Sequence, residues 1–117
     1  MEDIGFRAQL EIYEELKAAG HRPVVLDSYD VRQAPEAMLR ALCDHLGIAY
    51  DPAMTAWPKG GHPDDGAWAP HWYGAVHRST GFSGPEGALP DLPETLQQVR
   101  DAAVPFYAAL RKDALTL

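Results

Sequence analysis

His62, Asp64, Asp65, His71 and His77 fall in one short stretch of the chain, and imidazole with carboxylate is a donor set that Zn²⁺ accepts. The spacing is wrong for a metal. His71 and His77 are six residues apart rather than the three or four that share a helical face, and Pro63 and Pro70 interrupt the segment. These groups read as scattered loop residues, and no metal site is expected. Asp27 and Asp30 follow the apolar run Val24-Val25-Leu26, the place where α/β sheets put functional groups. Turn and helix-capping chemistry accounts for both more simply. Cys43 sits on the apolar side of a helical pattern and reads as a buried structural thiol, not a nucleophile. Gly60-Gly61 follows Pro58-Lys59 and not a buried strand, so it reads as a turn rather than a phosphate loop.

Composition narrows what these residues can serve. The chain has 117 residues, 10 Lys+Arg against 17 Asp+Glu, and a net charge of −7. One domain is expected. The acidic balance argues against a nucleic-acid or anionic-membrane binder, which needs a basic face. A single cysteine excludes an internal disulfide and a CxxC metal site. No apolar run reaches about 18 residues, and Met1-Glu2-Asp3 lacks the basic and apolar regions of a signal peptide, so a cytoplasmic location is expected.

The elements that must position these groups follow from periodicity. Residues 3–19 place Ile4, Leu10, Ile12, Tyr13 and Leu16 on one stripe, with Glu11, Glu14 and Glu15 opposite, and Gly20 stops this helix. Pro23 to Asp27 reads as a short strand buried on both faces. Pro35 opens a second helix carrying Met38, Leu39, Leu42, Cys43 and Leu46, which Gly47 ends. Residues 3–50 therefore form a helix–strand–helix unit. Residues 51–93 hold seven of ten prolines, seven of ten glycines and all three tryptophans, Trp57, Trp68 and Trp72. That segment reads as a long ordered loop with one short helical piece near His71–His77, its aromatics pinning it to the core. A last helix spans about 94–112, with Pro105 expected to kink or split it. The class is α/β and helix-rich. Its difficulty is a lone strand with no second run to pair it.

The run from Val24 to Asp30, then Pro35-Glu36 and Leu39-Arg40-Ala41-Leu42-Cys43-Asp44-His45-Leu46-Gly47-Ile48, resembles the C-terminal half of P-loop sulfotransferase-like proteins. Trp68-Ala69-Pro70-His71-Trp72-Tyr73 and His77-Arg78-Ser79-Thr80-Gly81-Phe82 are similar to a bacterial branch of that family. At Ala34 a capping Asp is usual in the family; Ala cannot cap, which weakens that helix start by roughly 1 kcal/mol. The resemblance implies a partial P-loop fold and, in the intact fold, sulfuryl transfer from 3′-phosphoadenosine-5′-phosphosulfate to a small acceptor. It also implies that Arg78, Ser79, Thr80 and Gly81 bind a donor phosphate, through an arginine fork, hydroxyls and an amide. His71 is the local candidate for the base that takes the acceptor proton. The family's strand, Gly-rich loop and helix that cradle the donor have no counterpart here, for the chain contains no G-x-x-x-x-G-K-S/T. Four consequences are expected: no cofactor is required by this chain alone, activity is absent or incomplete, a second polypeptide or a second copy completes the sheet, and neither nucleic acid nor membrane is bound. The alternative is a non-enzymatic interaction or oligomerisation module.

Overall fold

A computed structural model describes residues 5–117. Among these residues six α-helices form in chain order: α1 (Phe6–Ala18), α2 (Ser28–Gln33), α3 (Pro35–Leu46), α4 (Ala69–Trp72), α5 (Gly74–Arg78) and α6 (Glu94–Lys112), with a 3₁₀ turn at Pro52–Met54. The expected first helix is present as α1; Ile4, placed on its apolar stripe, lies outside the described residues, as do Met1, Glu2 and Asp3. Its end is built as the sequence requires. Gly20 takes φ 85°, and the amides of Gly20 and His21 close on the carbonyls of Lys17 and Leu16. Gly47 does the same for α3 at φ 69°.

The α/β expectation needs correction at its strand. Residues 23–27 do not form one; Val25 makes a single parallel bridge to Ala114, sealed by the Leu115 amide donating to the Val25 carbonyl at 2.9 Å. A strand is a property of its partners. Here the partner is a short stretch after α6, so pairing stops after one rung. The molecule is accordingly helix-rich with almost no strand, and its other bridge joins Ala56 to Gly81.

Two further expectations shift. A helix not expected, α2, starts at Asp27, whose carboxylate accepts the Tyr29 amide at 2.9 Å. The single short helical piece expected near residues 71–77 is two, α4 and α5, broken at Tyr73. Pro105 does not split α6, which is continuous across it. Its ring lies on the exposed face, where water can satisfy the carbonyl that loses a partner.

The core is small. Met38 and Cys43 from α3, Ala103 and Leu110 from α6, and Ala69 are its fully buried apolar residues among those described. α1 packs along α6, clasped by the Tyr13 hydroxyl and Lys17 ammonium on Asp113 at 2.8 and 3.0 Å. No described helix is long and apolar enough to cross a membrane.

Candidate functional site

The residues singled out by sequence separate into two polar clusters. The first lies where residues 23–28 meet α6. Asp27 caps α2 with one oxygen; its other oxygen accepts the Tyr107 hydroxyl at 2.6 Å and lies 3.5 Å from Arg111 Nε. Arg111 Nη1 reaches Asp30 at 2.6 Å, a charge contact and not an aligned hydrogen bond. The hydroxyl of Tyr107, then the Tyr29 amide and the Arg111 charge, hold the Asp27 carboxyl below the usual carboxylate range. The same bond to Asp27 pushes the Tyr107 phenol up. Asp27 is therefore ionised and saturated with donors, and it anchors α2 to α6. With one cation facing two carboxylates, the cluster does not attract a phosphate. Tyr107 and Arg111 were missed from sequence as its partners, although their i,i+4 spacing places them on one face of α6.

Beside this cluster runs a groove of about 430 Å³ between α1, residues 23–28 and α6. Phe6, Ile12, Leu16, Val24, Leu26 and Leu110 give it an apolar lining, to which Asp27, Tyr107 and Arg111 add polar groups.

The second cluster folds the long loop on itself. Trp57 Nε1 donates to Ser79 Oγ at 2.9 Å, and that hydroxyl donates to the Val76 carbonyl at 2.6 Å. The Trp57 amide donates to the Thr80 carbonyl, and Trp57 meets Phe82 edge-on with centroids 5.6 Å apart. His77 Nε2 lies 2.8 Å from Asp65, whose carboxylate also accepts the His62 amide at 2.8 Å. That amide first, and His77 after it, hold the Asp65 carboxyl low. Gly61 passes close to the pair; a Cβ there would sit 3.0 Å from the imidazole, so a larger residue would push the His77 ring aside by a few tenths of an ångström.

Of the predicted phosphate segment, two residues make contacts within the loop and two have exposed side chains. Ser79 is engaged twice, and Gly81 is bridged to Ala56 with the Thr55 carbonyl 3.1 Å from where a Cβ would be. The Arg78 and Thr80 side chains are exposed. His71 is exposed on α4, its ring 6.2 Å from that of Trp68, and it does not meet His77 and Asp65 through any hydrogen bond. No three His, Cys, Asp or Glu side chains converge on a metal-sized site among the described residues.

The tryptophans divide as well. Trp57 pins the loop, as expected. Trp68 and Trp72 do not: they are 72% and 74% exposed, because α4 turns the small Ala69 inward and leaves its i,i+4 tryptophans outside. Elsewhere the loop is held by Arg32 of α2, which pairs with Glu86 and donates to Ser83 and the Gly84 carbonyl.

A family model described as "Sulfotransferase domain" matches residues 1–114. Two curated proteins of Arabidopsis thaliana, "Branched-chain-amino-acid aminotransferase-like protein 1" and "protein 2", are 38% and 37% identical over 109 residues, which is 93% of this chain. The chain spans about a fifth of the length of these relatives, 20% in each case. No solved structure matches.

Proposed function

The chain belongs to the sulfotransferase domain family, and from that premise we propose that it is the acceptor-side portion of a sulfuryl-transfer enzyme whose donor-binding half lies outside these residues. The observation that carries the reading is a family match across nearly the whole chain in a sequence that has no glycine-rich phosphate loop. Sulfuryl transfer from 3′-phosphoadenosine-5′-phosphosulfate needs several amides and cations around the phosphates. Arg78, exposed at the end of α5, is the group here proposed to reach a donor phosphate, with the Thr80 hydroxyl beside it. Ser79 and Gly81 serve that segment by fixing its backbone. His71, exposed one short helix earlier, is proposed to take the acceptor proton. The aminotransferase-like names belong to much longer proteins, and no such chemistry is proposed for this chain. Lys17, Lys59 and Lys112 are all exposed, unlike a desolvated Schiff-base lysine.

Calorimetry with the sulfonucleotide donor tests the division of labour. The isolated chain is expected to show no saturable binding at micromolar donor, while an assembly purified from the native cell through this chain transfers labelled sulfuryl groups to a panel of alcohols and amines. Micromolar binding by the chain alone overturns the incompleteness. An assembly that neither binds nor consumes the donor overturns the sulfotransferase reading in favour of a non-enzymatic interaction module.

A further inference from the structure

Cations are scarce in this chain, and carboxylates are plentiful: 10 Lys+Arg face 17 Asp+Glu. A basic side chain therefore finds a partner readily, and Arg7, Arg32, Arg40, Arg100, Arg111 and Lys17 each pair with a carboxylate. Among the described residues, Arg22, Lys59, Arg78 and Lys112 make no ion pair. The backbone brings two of these four together.

The long loop returns on itself as an irregular antiparallel pair. Ala56 bridges Gly81, the Trp57 amide donates to the Thr80 carbonyl at 3.2 Å, and the Gly60 amide donates to the His77 carbonyl at 2.9 Å. All three contacts obey one register, and in it Lys59 falls opposite Arg78. Gly60, at φ 129°, supplies the change of direction just after Lys59. The Arg78 guanidinium lies back along α5, where a Cβ on Gly74 would be 3.3 Å from Nη1. The carboxylates of the same loop are engaged elsewhere: Asp65 with the His62 amide and His77, Asp64 with His62 Nδ1 at 3.4 Å. Like charges directly across an antiparallel pair cost stability. An anion held between them turns that cost into attraction.

We infer that Lys59 and Arg78 form a two-cation seat for a phosphate or sulfate group. Arginine contributes a bidentate fork and lysine a point charge. Lys59 is the added member; it lies 19 residues from Arg78, and only the folded register joins the two. The inference deepens the reading that Arg78 meets a donor phosphate, and it rests on that reading for the identity of the anion. Two exposed cations without a cradle of amides hold an anion with a dissociation constant on the order of millimolar, so the seat is one part of a donor site.

NMR titration of the isolated chain in low-salt buffer tests it, with inorganic phosphate and adenosine 3′,5′-bisphosphate as probes. Both are expected to shift the amides of residues 59–61 and 78–80 and the Arg78 Nε resonance, saturably, at about millimolar concentration. Lys59→Gln and Arg78→Gln should each weaken binding about fivefold or more, and Lys59→Arg should retain it. Lys112→Gln, at another cation without an ion pair, should leave it unchanged. Tighter binding of the bisphosphate makes the donor the source of the anion and equal binding makes it free phosphate; either supports the seat. A loss in Lys59→Gln no greater than in Lys112→Gln, or shifts that do not saturate, overturns the inference. So does a lower unfolding midpoint for Lys59→Gln in anion-free buffer, which would make Lys59 a structural residue. In the native assembly, sulfuryl transfer whose donor KM is unchanged by Lys59→Gln refutes the seat alone; a seat in an assembly that transfers nothing refutes the proposed activity alone.

Discussion

Asp27 joins three parts of the molecule through two oxygens, so its contribution can be isolated by removing one atom elsewhere. Tyr107→Phe deletes the donor at 2.6 Å and leaves the ring. The expected loss is about 1–2 kcal/mol, because the acceptor is charged while the phenol is partly exposed. The pH dependence has a definite sign. The Tyr107 hydroxyl holds the Asp27 carboxyl below its ordinary range in the folded chain, so its contribution is present above the unfolded pKa and fades as pH falls through the folded one. Urea unfolding of wild type and Tyr107→Phe should therefore differ at pH 6 and converge in strong acid, where Asp27 is protonated in the folded chain; a constant difference contradicts the assignment. The tryptophans give a second residue-scale contrast. Trp57→Phe forfeits the bond to Ser79 and should cost about 1 kcal/mol. Trp68→Ala and Trp72→Ala should stay within about 0.5 kcal/mol in the isolated chain, since both rings are mostly in water.

At the scale of elements, α3 is the part that packs most completely, with Met38 1% and Cys43 2% exposed. Met38→Ala should destabilise by about 2–4 kcal/mol in thermal or urea unfolding. Arg32→Ala should instead leave global stability nearly unchanged and speed proteolysis around residues 83–87, because Arg32 is the side chain that fastens that stretch to α2. The same contrast explains what was legible in the sequence. Helices α1, α3 and α6 were readable because periodicity and their Gly or Pro punctuation are local signals. The strand was misread because Val24-Val25-Leu26 has strand composition, while strand formation is decided by a partner far along the chain. Helix α2 was hidden by its six-residue length. The site was legible as residue types and not as pairings: His77 with Asp65, and Asp27 with Tyr107 and Arg111, are separated by 12 and about 80 residues and no spacing rule links them.

The whole molecule has an accessible area of 9038 Å², where a compact monomer of 12.8 kDa has about 6,300 Å², and the measurable consequence is weak cooperativity. Unfolding exposes about a quarter less new area than it would from a compact chain of this mass, so the urea m-value of the isolated chain should be lower by a similar fraction. An m-value at the level usual for 117 residues would mean that the chain closes up further in solution.

The clasp between α1 and α6 carries one more implication, for biosynthesis. Tyr13, Lys17 and Val25 all find their partners between residues 113 and 115. During synthesis α1 and residues 23–26 must therefore wait, unlatched, until residues 113–115 emerge, while α3 can already pack upon the segments adjoining it. For that interval Ile12, Leu16 and the valines stay open to chaperones or to a nascent neighbour.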